Sequence, residues 1–98
     1  LKALKLKNVK TGAETIFETD GLFIFIGHTP NTQMFENKLK MSDLGYIIVN
    51  DKMETNIPGV FAAGEAADPH FRQVITSAGM GAAAAIQATR FLEETGSS

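Results

Sequence analysis

The chain has 98 residues, a formal net charge of −2 and no cysteine, and 44% of its residues are hydrophobic and 20% charged. This composition is typical of a soluble globular protein. The absence of a basic run argues against nucleic acid or an anionic membrane surface as a main partner. Without cysteine the chain has no disulfide framework, no thiolate nucleophile and no cysteine metal site, which suits a cytoplasmic protein.

The N-terminal part of the chain alternates apolar and polar residues at the spacing of β-strands. Residues 1–9 and 14–20 each show this alternation, with Ile16 predicted to face inward, and a turn separates them. After a second tight turn, the continuous apolar run LFIFI at residues 22–26 predicts a strand that is buried on both faces. Together these segments predict an antiparallel meander of three strands.

The C-terminal part predicts short elements followed by one long helix. A short helix is expected around Gln33–Glu36. Two further short strands are predicted, GYIIVN at residues 45–50 and VFAAG at residues 60–64. From about Val74 to Glu94 the chain is alanine-rich and free of proline, which predicts a helix about 30 Å long. Gly79 and Gly81 each destabilise such a helix by about 1 kcal/mol relative to alanine, so they predict a closely packed neighbour.

Three segments resemble one family of flavoenzymes. Residues 60–93 have the sequence VFAAGEAADPHFRQVITSAGMGAAAAIQATRFLE. This stretch closely resembles the C-terminal segment of bacterial-type thioredoxin reductases, which depend on FAD and NADPH. The stretch FIGHTPNT at residues 25–32 resembles the end of that family's NADPH-binding domain, and NIPGVFAAG resembles its crossover into the FAD domain. The resemblance implies an α/β fold, a fragment of the two-dinucleotide-binding-domain (FAD/NAD(P)-binding, Rossmann-like) fold.

The resemblance also implies a domain division and an activity. Residues 1–57 are expected to be the C-terminal part of the NADPH-binding domain with the crossover, and residues 58–98 the C-terminal strand and helix of the FAD-binding domain. The chain contains neither GxGxxG nor CxxC, which lie upstream in the family. We therefore expect about the last third of an enzyme that passes electrons from NADPH through FAD to a thioredoxin-like disulfide protein, and we expect the isolated chain to be inactive.

Five residues are assigned to the FAD site by the same resemblance. Gly64 lets the backbone approach the flavin, an acid at Glu65 accepts a hydrogen bond from the ribityl chain, and Arg72, Gln73 and Val74 lie at the pyrimidine edge. The family normally has aspartate where this chain has Glu65. The additional methylene displaces the carboxylate by roughly 1.5 Å, so the ribityl contact is either made differently or lost.

Other interpretations of these residues remain open at this point. Glu65, Asp68 and His70 could hold a metal, although their spacing matches no firm metal motif, or could form a solvated acidic loop. His28 is expected to be a turn-capping or interdomain polar residue, and Arg72 could be an ordinary surface charge. For the whole chain, the alternative is a non-catalytic binding or scaffold protein that retains the family core and associates with a partner chain. A ferredoxin- or peroxiredoxin-linked flavin reductase is disfavoured by the DPHFRQV loop.

The apolar run at residues 22–26 also predicts an interaction between copies. A long hydrophobic strand at a sheet edge invites pairing with another chain. The chain is therefore expected to form a homo-oligomer or a domain-swapped assembly in which the C-terminal helix is exchanged.

Overall fold

The N-terminal residues form a two-stranded antiparallel hairpin in the computed structural model, which describes residues 1–96. Strand β1 (Ala3–Lys7) pairs with strand β2 (Glu14–Glu18) along their whole lengths. The connecting turn is stabilised by Asn8, whose side-chain Oδ1 accepts the backbone N–H of Lys10 at 2.9 Å. Gly12 adopts a φ of +76°, a conformation that glycine reaches without strain. The first two predicted strands are thereby confirmed.

The third predicted strand does not form, so that prediction was wrong. Among residues 1–96 the only strands are β1 and β2, and the side chains of residues 22–26 are all exposed, up to 92% for Ile26. Ile16 was predicted to face inward and is 65% exposed. A continuous apolar run becomes a buried strand only when neighbouring strands pair with it and other elements cover its faces. Within the described residues no element does so.

The two short strands predicted further along reduce to single bridges, which corrects the second strand prediction. One bridge joins Met41 to Ile47 and the other joins Glu54 to Phe61. The Met41–Ile47 bridge is closed by two flanking hydrogen bonds, from the N–H of Ser42 to the Tyr46 carbonyl and from the N–H of Ile48 to the Lys40 carbonyl. The N–H of Ile47 itself donates to the carbonyl of Ala66, at 2.8 Å. By contrast, the predicted short helix is confirmed as a 3₁₀ turn over Gln33–Phe35.

The few buried side chains lie where this irregular region meets the loop that precedes the long helix. Buried residues include Tyr46, Ile47, Ala67, Thr32 and Asp68. The Thr32 hydroxyl donates a hydrogen bond to the Gly45 carbonyl, which satisfies the most completely buried polar side chain. This small core holds the loop over residues 64–68 against residues 46–47, where the N–H of Ile47 donates to the Ala66 carbonyl.

The predicted long helix is confirmed as α1 (Val74–Glu94). Thr95 is its C-cap residue, and Gly96 follows with a φ of +75°, the left-handed conformation typical of the residue after a helix. Near its end the ring of Phe91 packs edge-on against Phe61, with 6.3 Å between ring centroids. The neighbour predicted to pack against Gly79 and Gly81 is absent from residues 1–96, because a Cβ at either position would find nothing within 4 Å.

The described chain is elongated, with extents of 66 × 26 × 22 Å and a Cα radius of gyration of 20.5 Å. A compact domain of this length would have a radius near 13 Å. The hairpin and α1 do not pack against each other, and each leaves apolar side chains exposed. Within residues 1–96, no helix combines the length and the apolar character needed to cross a membrane.

Candidate functional site

The loop that carries the predicted site begins with a tight turn at Gly64. Gly64 has a φ of +84°, and a Cβ there would lie 3.6 Å from the Ser77 side chain. The carbonyl of Gly64 accepts the N–H of Ala67 at 3.0 Å, which closes the turn. A residue with a side chain would be strained in this conformation, so glycine allows the turn to lie beside the first turn of α1.

Asp68 organises the remainder of the loop. Its side chain is buried, and its Oδ1 accepts the backbone N–H groups of His70 and Phe71 at 2.9 and 3.0 Å. Its Oδ2 accepts the backbone N–H of Arg72 at 2.9 Å and the hydroxyl of Thr76 at 3.4 Å. The backbone N–H groups of Phe71 and Arg72, followed by those of His70 and the Thr76 hydroxyl, hold the pKa of this carboxyl below its ordinary value. Asp68 is therefore ionised at neutral pH and ties the loop to the helix.

Arg72 and Gln73 lead directly into α1. Arg72 has a φ of +54°, unusual for a residue with a Cβ, and the bond from its N–H to Asp68 holds it there. The backbone N–H of Gln73 donates to the Thr76 hydroxyl at 3.2 Å, so it acts as the N-cap residue. Val74 is 89% exposed. The first-turn N–H groups have no partner within the helix, and they lie at an open, electropositive helix end.

Glu65 and His28 meet at a cavity next to this loop. The cavity has a volume of about 330 Å³, and its lining includes Glu65, Ala66, His28 and Tyr46. The imidazole Nδ1 of His28 lies 3.5 Å from Oε1 of Glu65, and both side chains are about half exposed. The contact joins two segments that are far apart in the sequence.

The structure brings the predicted site residues into one continuous loop, although their binding of a cofactor stays a prediction. Gly64 lies beside the helix start, Glu65 faces the cavity, and the remaining three residues form the helix entrance: Arg72, Gln73 and Val74. The positions of these residues are set by the backbone of the loop. Gly64 and Arg72 adopt left-handed conformations, and the buried carboxylate of Asp68 holds the backbone between Gly64 and α1. Sequence reasoning missed the capping role of Asp68, which the Asp-Pro dipeptide could have indicated as a turn signal.

The alternative of a metal site at Glu65, Asp68 and His70 finds no support in this geometry. Both oxygens of Asp68 already accept hydrogen bonds. In the part of the chain that the structure describes, no three His, Asp or Glu side chains are close enough to hold a metal together.

Comparisons with known proteins agree along almost the whole chain. A sequence profile of the family described as pyridine nucleotide-disulphide oxidoreductase matches residues 2–86. The chain is 46% identical over 95 residues to the mitochondrial thioredoxin reductase of Kluyveromyces lactis, which covers 96% of the chain and 27% of that protein. It is 47% identical over 93 residues to the thioredoxin reductase of Coxiella burnetii, covering 90% of the chain and 29% of that protein. These matches confirm the resemblance indicated by the sequence.

Solved structures give the same result for the fold. The thioredoxin reductase of T. acidophilum superposes with a TM-score of 0.83 at 34% identity, covering 96% of the chain and 31% of that structure. The enzyme of Lactococcus lactis superposes with a TM-score of 0.80 at 40% identity, covering 95% and 31%. The chain thus spans under a third of the length of these relatives. Their similarity confirms the predicted fold class, a fragment of the FAD/NAD(P)-binding fold.

Proposed function

Because the chain belongs to the pyridine nucleotide-disulphide oxidoreductase family, we propose that it forms the C-terminal part of a thioredoxin reductase-like flavoenzyme. In this proposal electrons pass from NADPH through FAD to the disulfide of a thioredoxin-like protein in the cytoplasm. The observation that carries the proposal is the similarity to thioredoxin reductases over at least 90% of the chain, which includes the complete loop that leads into α1.

The loop geometry fits a flavin at the helix entrance. The turn at Gly64 brings backbone, without a side chain, to the surface beside α1. The Glu65 carboxylate is about half exposed and would accept a hydrogen bond from a hydroxyl group of the ribityl chain. Arg72, Gln73 and Val74 would contact the pyrimidine edge. When bound, FAD would supply the redox chemistry, and the open N-terminus of α1 favours the negative charge of a reduced flavin.

The proposed domain division places residues 1–57 in the NADPH-binding domain and residues 58–98 in the FAD-binding domain. Hydrogen bonds cross the proposed boundary, from the N–H of Ile47 to the carbonyl of Ala66 at 2.8 Å and from the N–H of Ala62 to the carbonyl of Met53 at 3.1 Å. In the division proposed here these contacts belong to the interface between the two parts. In this proposal the crossover contacts both the segment at Ala62 and the loop over residues 64–68 that would face the flavin.

Complementation tests the proposed function. We expect the isolated chain to show no flavin absorbance and no NADPH-dependent reduction of a disulfide, because it has no GxGxxG and no cysteine. Co-expression with the remaining N-terminal part of a related thioredoxin reductase, which carries both motifs, is expected to restore bound FAD. Visible absorbance and NADPH consumption with thioredoxin measure the result.

A matched complementation with Arg72→Ala separates flavin contacts from simple assembly. The Arg72→Ala chain should still co-purify with the N-terminal part, but the complex should bind less FAD. Disulfide reduction by the isolated chain would contradict the proposal. Co-purification without any flavin, even with the unmodified chain, would favour the alternative of a non-catalytic binding or scaffold protein.

We also propose that the isolated chain self-associates through residues 22–26. Phe23 and Phe25 are 83% and 85% exposed, and such contiguous apolar surface favours association. Sedimentation velocity across a concentration series is expected to show dimers or larger species for the unmodified chain, and mainly monomer for the double variant Phe23→Lys/Phe25→Lys. The control is Val9→Lys/Leu44→Lys, which removes exposed apolar side chains elsewhere. Equal effects of the two double variants would show that the run has no special role.

A further inference from the structure

We propose that His28 is a positioning residue for the Glu65 carboxylate, and that it makes flavin binding dependent on pH. The inference rests on the proposed function and extends it to a residue outside the loop. Its basis is the contact between Nδ1 of His28 and Oε1 of Glu65, at 3.5 Å across the cavity.

The two partners approach from different segments of the chain, and the backbone of Glu65 is held by hydrogen bonds on either side. On one side, His28 lies between Gly27, with a φ of +78°, and the buried Pro30. On the other side, Glu65 belongs to the turn closed by Gly64, and the next residue, Ala66, accepts the N–H of Ile47 at 2.8 Å. In this arrangement of the two backbones, the rotamers of the two side chains decide whether they meet.

The length of the Glu65 side chain makes the contact possible. Aspartate at this position would end roughly 1.5 Å short of the glutamate carboxylate, which would lengthen a 3.5 Å contact beyond the range of an ion pair. With Oε1 oriented toward His28, Oε2 remains free to accept a ligand hydroxyl. The contact with His28 thus orients the longer glutamate side chain, and the ribityl chain would bind to Oε2 instead of losing its acceptor.

The contact changes strength with the charge of the imidazole. Histidine is the side chain that ordinarily changes charge between pH 5 and 8, and its cationic form attracts a carboxylate. The titratable groups that line this cavity are His28 and Glu65, from the two contacting segments, and Tyr46, from the segment packed beneath the loop. No other charged side chain lines the cavity among the described residues.

The first test measures the contact without any flavin. In the 98-residue chain, the pH titration of the His28 ring is followed by NMR, with and without Glu65→Gln. If the two side chains are coupled, Glu65→Gln changes the titration curve of His28, because the neighbouring carboxylate is gone. The same substitution should leave His70 unchanged, which provides an internal control. Superimposable His28 curves would overturn the proposal.

The second test measures the consequence for binding in the full-length flavoprotein that carries these residues. We expect His28→Ala to weaken FAD binding about two- to fivefold at pH 6, the range for a partly exposed ion pair, and to have little effect at pH 8. In a Glu65→Gln background the same substitution should have no effect at either pH. Asn31→Ala, which alters the same cavity without touching the pair, is the matched control and should show no pH-dependent change.

The outcomes distinguish this inference from the proposed function. Equal weakening at both pH values, or an undiminished effect in the Glu65→Gln background, would show that His28 acts only on the structure and would overturn the inference. Failure of the unmodified full-length protein to bind FAD would overturn the proposed function and the flavin role of the pair together. In that case the NMR titration still decides whether His28 and Glu65 are coupled.

Discussion

Replacing Gly59 with alanine will destabilise the protein by about 2–4 kcal/mol, because two unfavourable effects combine at this position. Gly59 has a φ of +84°, a left-handed conformation that disfavours any residue with a Cβ by roughly 1–2 kcal/mol. The new Cβ would also lie 3.1 and 3.2 Å from Cε1 and Cζ of Phe91. That ring cannot withdraw freely because it already packs edge-on against Phe61. Urea denaturation of the full-length protein, followed by circular dichroism, measures the change.

Two further variants separate the two causes. Phe91→Leu in the Gly59→Ala background removes the ring atoms that the Cβ would meet, so part of the loss should be recovered and the conformational part should remain. Gly79→Ala, made in the 98-residue chain beside Gly59→Ala in the same chain, provides a control without either effect, because among residues 1–96 a Cβ there meets nothing within 4 Å. In a helix this change stabilises by up to about 1 kcal/mol. A Gly59→Ala variant as stable as the unmodified protein would contradict the described packing of Phe91.

In the full-length flavoprotein proposed above, replacing Asp68 with asparagine is expected to weaken FAD binding by at least about tenfold at neutral pH, because the loop loses its organising acceptor. Asparagine has one oxygen where aspartate has two, so its amide group must face a backbone N–H that now donates to Oδ1 or Oδ2. At least one N–H of the loop is left without an acceptor. The left-handed conformation of Arg72 then loses the bond that maintains it. Fluorescence quenching on FAD titration measures the loss.

The same residue predicts how stability depends on pH. The pKa of Asp68 in the folded chain is lowered from its ordinary value of 3.8, so folding favours the ionised form. This stabilisation is fully present above pH 3.8 and is lost as the pH falls through the folded pKa. The stability difference between the unmodified protein and Asp68→Asn should therefore narrow in acid. Asp43→Asn, at an exposed site outside the loop, is the control; a difference that stays constant into acid would contradict the proposed role of Asp68.

The sequence predicted the elements whose stability is local. The helix over Val74–Glu94 was predictable because good helix formers fill it and no proline interrupts it. A strand at residues 22–26 was predicted wrongly, because an apolar run becomes a strand only through partners that the described residues do not provide. Composition can indicate that such a run needs covering, but it does not tell which surface covers it.

The candidate site was predicted to a different extent. Resemblance identified Gly64, Glu65 and the residues at the helix entrance, since a continuous motif carries them. It did not identify the buried carboxylate of Asp68 as a cap or the approach of His28 to Glu65. The first is a local turn that the Asp-Pro dipeptide could have indicated. The second joins segments too far apart in sequence for spacing rules to apply.

The hydrogen bonds of the chain are nearly all closed over short distances in sequence. The bond from the N–H of Ile47 to the Ala66 carbonyl, which holds the loop over residues 64–68, has a longer span of about twenty residues. Most of the backbone bonds outside the helix and hairpin span no more than five residues, so little chain entropy is lost in closing each of them. The turn at Asp68 is of this kind, because its carboxylate accepts N–H groups from residues two to four positions ahead. The geometry of this turn is therefore set within the loop itself, whereas the exposed apolar run at residues 22–26 is left for contacts that such local bonds do not supply.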